Sequence, residues 1–140
     1  MKIALQRIDD GFNMEAVDEQ GHKVLMDSSV ENGGKNNGIR PMQMLIMGLG
    51  GCSAIDVVMI LKKQRQEITD FRIEIEADRE KGKEPSLWEK AHIVFHITGK
   101  VDADKAARAV ELSMNKYCSV AETLRQGNTQ LTWEVKLNQA

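Results

Sequence analysis

The segment from Pro41 to Leu61 constrains this chain more than any other. Met44, Leu45, Met47, Leu49, Cys52, Ile55, Val58, Met59 and Leu61 succeed one another with no polar face between them. A helix apolar on all sides has to be buried on most of them. Pro41 suits the first helical turn, because the N–H that proline lacks has no intrahelical partner there. Polarity returns at Lys62-Lys63-Gln64-Arg65-Gln66-Glu67, which sets the predicted central helix at 41–67. Gly48, Gly50 and Gly51 stand in its interior, and each costs about 1 kcal/mol against Ala. Two compensations fit that cost: another element packs closely on a flat glycine face, or the missing side chains leave room in front of Cys52 for a substrate. A chain of 140 residues fits one domain. So apolar a helix nevertheless has more surface to hide than so short a chain covers, and an intertwined homodimer is the expected remedy.

The flanking segments set the fold class. Phe12, Met14 and Ala16 alternate with Asn13, Glu15 and Val17, and Val24-Leu25-Met26 follows the turn Asp18-Glu19-Gln20-Gly21. Residues 27–40 carry Gly33-Gly34, Asn36-Asn37 and Gly38 and are predicted to be a mobile loop. Phe71 to Ala77 alternates apolar with charged, and Ile93, Phe95 and Ile97 share one face with His92, Val94 and His96 on the other. Both patterns favour antiparallel strands with one wet face. Asp102 is placed to cap a second helix whose buried side is Ala106, Ala107, Val110, Met114 and Tyr117. Ser119-Val120-Ala121-Glu122 has the form of a capping box that opens a short third helix ending near Gly127. Leu131, Trp133, Val135 and Leu137 mark a last strand. This order is α+β, with helices laid on an antiparallel sheet. The expected organisation is a single domain over 1–140, with strands and a loop at 1–40, the central helix at 41–67, and strands and helices at 71–140.

Charge and hydropathy narrow the partners. The formal net charge is -2, which gives neither nucleic acid nor an anionic membrane a reason to bind. The apolar run is expected to fall short of the roughly 20 residues that span a bilayer. Met1 to Arg7 lacks the apolar stretch of a signal peptide. The expected location is the cytoplasm, where paired thiols are more often catalytic or sensing than structural. Eight methionines against three Phe, two Trp and one Tyr point to an adaptable core, or to a pliable wall for a greasy ligand.

The chain has only two cysteines, Cys52 and Cys118. A thiol attacks as the thiolate, which is scarce at neutral pH unless something lowers its pKa. Cys118 immediately precedes the predicted capping box, so the positive end of the short helix points its way. Cys52 lies well inside its helix, and its activation has to come from side chains elsewhere. No C-x-x-C occurs, and His22, His92 and His96 have no ligand spacing with either cysteine. His92 and His96 stand roughly 13 Å apart on a regular strand. No metal and no bound cofactor is therefore expected. Two readings of the cysteines stay open, a redox pair and two inert buried thiols.

Two stretches bear on that choice. Arg40-Pro41-Met42-Gln43-Met44-Leu45-Ile46-Met47-Gly48-Leu49-Gly50-Gly51-Cys52-Ser53-Ala54-Ile55-Asp56-Val57-Val58 resembles the central-helix motif of the OsmC/Ohr family, the osmotically inducible and organic hydroperoxide resistance proteins. Lys116-Tyr117-Cys118-Ser119-Val120 resembles that family's second cysteine motif. The order of elements matches over nearly the whole chain, and the G-G-C-S-A-I-D string is closest to a less characterised branch. The resemblance implies a Swiss-roll-like α+β fold, with antiparallel sheets around a long central helix. It also implies an intertwined homodimer with active sites at the subunit interface. By the same resemblance, Cys52 attacks an organic hydroperoxide and becomes a sulfenic acid, Cys118 resolves it as a disulfide, and an external dithiol of the lipoyl type restores both thiols.

The sequence departs from the family pattern in one respect. The family's peroxidases carry an acidic residue early in the long helix that holds an arginine near the nucleophile. Here that turn is Met42-Gln43, and Gln43 cannot form an ion pair. Arg40 and Arg7 are the candidates for the arginine. Two rivals to the peroxidase follow: a redox-sensing or small-molecule-binding dimer with little or no turnover, and a purely structural dimer with inert thiols.

Overall fold

The computed structural model describes residues 1–139. Its residues group into two compact units that divide between Leu45 and Ile46, inside the central helix.

In the first unit, β1 (Ala4–Arg7), β2 (Met14–Val17) and β3 (Lys23–Met26) form an antiparallel meander in that order. The β2–β3 turn is the expected one. Gly21 takes the positive φ of 89° and donates its N–H to the Asp18 carbonyl. The Asp18 carboxylate accepts the N–H groups of Gln20 and His22. Residues 27–40 are more ordered than a mobile loop. Buried Asp27 accepts the N–H groups of Ser28, Lys35 and Asn37 at 2.7, 3.3 and 2.9 Å. These bonds, that from Asn37 first, hold its carboxyl below the usual carboxylate range. A single 3-10 turn runs from Val30 to Asn32, and Ile39 bridges Met26. The buried residues of this unit are polar, Asn13 and Asp27, while Leu5, Phe12 and Leu25 are exposed.

The long helix α1 runs from Pro41 to Lys63. It stops short of the expected residue 67, because Arg65 turns left-handed (φ 58°) and Glu67 already begins β4. In the second unit, β4 (Glu67–Arg79) pairs antiparallel with β5 (Trp88–Lys100). The expected all-antiparallel arrangement fails at the last strand: β6 (Gln130–Gln139) lies parallel to β5. Its cause is the crossover of α2 (Ala103–Leu112), a π turn (Ser113–Tyr117) and α3 (Ser119–Gln126), which carries the chain back to the end where β5 began. Asp102 caps α2 as expected, accepting the Lys105 N–H. The buried face beyond it is Ala106, Ala109, Val110 and Met114. Ala107 lies outside it, on the exposed side of α2 next to buried Ala106, and Tyr117 lies outside it because the extra residue in the π turn rotates the face after Leu112.

The core forms where Leu49, Ser53, Val57 and Leu61, at every fourth position of α1, meet Ile93, Phe95 and Ile97 of β5 and the buried face of α2. Burial on most sides of α1 is therefore not realised within one chain. Leu45, Met47, Ile55 and Met59 stay 45%, 52%, 67% and 45% exposed. The expectation that the apolar run is too short for a bilayer also needs correcting, since α1 is long enough and holds an 18-residue stretch with a mean hydropathy of 2.1. The glycines and small uncharged residues between its apolar positions leave Asp56 as the only charge from Met42 to Leu61.

The three glycines of α1 divide by environment. A Cβ at Gly50 would lie 3.2 Å from Ile75 Cδ1 of β4, so this position meets the sheet closely. A Cβ at Gly48 or Gly51 would meet nothing within 4 Å.

Candidate active site

Cys52 lies half-buried on α1, beside the buried Ser53. Ser53 satisfies its hydroxyl within the helix, donating to the Leu49 carbonyl at 2.8 Å. One turn further on, Asp56 projects from the same face as Cys52. The second cysteine arrives from the crossover. Cys118 is itself the N-cap of α3, and its Sγ accepts the Ala121 N–H at 3.4 Å. The expected capping box is thus displaced by one residue, with a thiol doing what Ser119 was assigned. Glu122 instead pairs with Arg125 at 3.6 Å. The Cys118 N–H donates to the Ser113 carbonyl at 2.8 Å, and the Arg125 guanidinium donates to the Met114 carbonyl, so the π turn fixes the thiol from behind.

These elements bring Cys52 Sγ, Cys118 Sγ and a carboxylate oxygen of Asp56 within 4.8 Å of one another. Both thiols are free. Ser113 Oγ donates to Asp56 Oδ2 at 2.9 Å and steers that carboxylate. Burial pushes the Cys118 thiol up from 9.0 to about 11. The Ala121 N–H works against burial, while Cys52 and Asp56 add to it. The helix end therefore touches the Cys118 sulfur as expected, but desolvation outweighs it, and Cys118 is a protonated thiol at neutral pH.

The other sequence-predicted residues belong to the first unit. Arg7 ends β1 opposite Met14. Arg40 donates through its guanidinium to the carbonyls of Asp27 and Gly38 and to Asn36 Oδ1. Gln43 Oε1 accepts the Arg40 backbone N–H at 2.9 Å, one half of a capping box at the start of α1. Gln43 and Arg40 are thus brought together through the backbone, and Cys52 and Cys118 through their sulfurs. Asp56 and Ser113 were not predicted. Asp56 had a signal in its four-residue spacing from Cys52, whereas a π turn gives Ser113 none.

Two cavities adjoin α1. One, of about 530 Å³, is lined by Asp56, Met59, Ile60, Lys63, Gln64 and Tyr117 among others. The Gln64 Oε1 atom is buried without a hydrogen-bond partner among the described residues. The other, of about 550 Å³, is mostly apolar, with Ile55, Val58 and Met59 in its wall and Lys62 and Lys63 at its edge.

Residues 34–134 match the OsmC-like protein family. The chain belongs to that family. It is 40% identical over 128 residues to Protein YhfA of Escherichia coli K12, covering 90% of this chain and 92% of that one. Among solved structures, a hypothetical protein from Aquifex aeolicus VF5 superposes with a TM-score of 0.80 at 31% identity, over 98% of this chain and 96% of that one. The organic hydroperoxide resistance protein OhrB of Bacillus subtilis superposes with a TM-score of 0.68 at 20% identity, over 96% of both chains. At that identity the likeness to OhrB is one of fold. The α+β architecture of two three-stranded sheets and three helices is that of the OsmC/Ohr proteins.

Proposed function

We propose that this chain is a thiol-dependent peroxidase of the cytoplasm that reduces organic hydroperoxides. The observation that carries the reading is the meeting of Cys52 and Cys118, with both sulfurs within 4.8 Å across a wide gap in sequence. A disulfide needs about 2.05 Å between sulfurs, and small side-chain rotations span the difference. The Cys52 thiolate attacks the outer oxygen of ROOH, the O–O bond breaks, and the alcohol leaves with a proton. Cys52 is then a sulfenic acid. The Cys118 sulfur attacks it, expelling hydroxide, which takes the Cys118 proton and leaves as water. An external dithiol, lipoyl-type by family analogy, returns the disulfide to two thiols and is itself oxidised. No bound cofactor enters this cycle. The apolar cavity walls around Met59 and Ile55 favour a greasy hydroperoxide over hydrogen peroxide. Relatives of the same fold bear the name organic hydroperoxide resistance protein.

The working form under this proposal is a homodimer. The exposed Met47, Ile55 and Met59 of α1 and the exposed Leu5, Phe12 and Leu25 of the first unit are the surface it would cover.

A second reading, a redox-sensing or small-molecule-binding dimer with little turnover, draws on a different observation. The charged group beside both sulfurs is a carboxylate, and Arg40 directs its guanidinium to two carbonyls and an amide oxygen. Cumene hydroperoxide consumption with a dithiol reductant separates the two. The wild type should turn over, Cys52→Ser should abolish consumption, and Cys118→Ser should stall as a sulfenic acid trapped by dimedone. Stoichiometric oxidation without turnover would favour the sensor. If neither thiol oxidises in the wild type, both redox readings fail.

A further inference from the structure

We propose that Cys52, Asp56 and Cys118 form a three-donor binding site for a soft divalent cation of the zinc type. Donors around zinc at roughly 2.0–2.3 Å stand roughly 3.3–4 Å from one another in a tetrahedron. The three donor atoms here already lie within 4.8 Å of one another, so a shift of under about 1 Å per side chain closes the set. Two sulfurs and one carboxylate oxygen select zinc or cadmium over magnesium or calcium. The neighbours are of the kind that hold metal ligands still. Ser113 Oγ donates to Asp56 Oδ2 at 2.9 Å and leaves the other oxygen for the ion. The Ala121 N–H donates to Cys118 Sγ at 3.4 Å, a bond that strengthens when the sulfur carries charge. All three ligands belong to one unit of one chain, on α1 and at the cap of α3, so a single chain makes the set.

The fourth tetrahedral position falls to water or a small anion. Binding displaces the two thiol protons and engages the sulfur lone pairs that would otherwise attack a peroxide. The ion therefore acts as a block on thiol oxidation, and its removal frees the pair.

The test uses the full-length reduced protein in buffer free of small thiols. Titration with cadmium(II) should raise an ultraviolet thiolate-to-metal charge-transfer band that saturates at one ion per chain. Calorimetry in buffers of different ionisation enthalpy should report two protons released per ion. Cys52→Ser and Cys118→Ser should each lose about half the band, and Asp56→Asn should weaken cadmium binding about tenfold or more. Ser113→Ala, which leaves the carboxylate but not its support, should weaken binding severalfold and serves if Asp56→Asn does not fold. Stoichiometric zinc(II) should slow oxidation of Cys52 by cumene hydroperoxide about tenfold or more. The proposal is overturned by a folded wild type without the band, by saturation at one ion per two chains, or by unchanged affinity in folded Asp56→Asn. Metal binding needs no turnover, so a chain that binds cadmium but resists hydroperoxide keeps this site and loses the peroxidase reading. A chain that reduces hydroperoxide but gives no band does the reverse.

Discussion

Cys118 is held by two opposing forces, and their balance sets how it behaves. The Ala121 N–H favours its thiolate, but burial disfavours it more, and the thiol is pushed up to about 11. Its reaction with iodoacetamide in the Cys52→Ser variant should therefore climb about tenfold per pH unit from pH 8 to 10 without levelling. A plateau near pH 8 would contradict the desolvated setting. The same shift has a consequence for stability. Because the folded value exceeds the unfolded one, the contribution is complete below pH 9 and is lost as the pH rises towards 11. Urea midpoints should fall over that interval in the wild type and fall less in Cys118→Ala. Of the site, the two cysteines were legible in the sequence because thiols are scarce and each stood in a recognisable motif. Asp56 was hidden by its company: an acid in an apolar helix reads as an interruption until the residue four positions earlier is known to be a reaction partner. Ser113 was out of reach, because the π turn that aims it leaves no periodicity to follow.

At the scale of elements, α1 was legible in existence and start, since Pro41 and the apolar run are local signals. Its end was not. Lys62 to Glu67 is helix-compatible throughout, and the left-handed Arg65 that stops it answers to the start of β4, a tertiary demand. The parallel pairing of β6 was likewise invisible, because alternation along a strand says which face is wet and nothing about which way its neighbour runs. The interior glycines now divide by role. Gly50 faces Ile75 so closely that Gly50→Val should overpack the helix–sheet contact and cost about 1–3 kcal/mol, read as a lowered urea midpoint with an unchanged slope. A neutral effect would mean that Ile75 has room to yield.

For the molecule as a whole, the exposed residues of α1 and of the β1–β3 sheet carry the expectation of a dimer. Gly48 and Gly51 give that expectation a sharp form. Within one chain, a methyl at Gly51 meets nothing, so Gly51→Ala should stabilise an isolated protomer by about 1 kcal/mol through helix propensity. If a second α1 packs there, the sign reverses, and Gly51→Leu should shift the species seen by analytical ultracentrifugation from dimer to monomer. A wild type that sediments as a monomer, with Gly51→Ala stabilised, would remove the dimer from the account.

The order in which β5 and β6 meet also governs when the thiols can react. The strand that closes the crossover, β6, follows Cys118 in the chain, so Cys118 has no fixed address until β6 has emerged from the ribosome. A nascent chain stalled after α3 would carry both sulfurs yet hold them in no set relation. Its capacity for disulfide closure, scored on chains arrested before and after β6, would time the moment at which this protein acquires its chemistry.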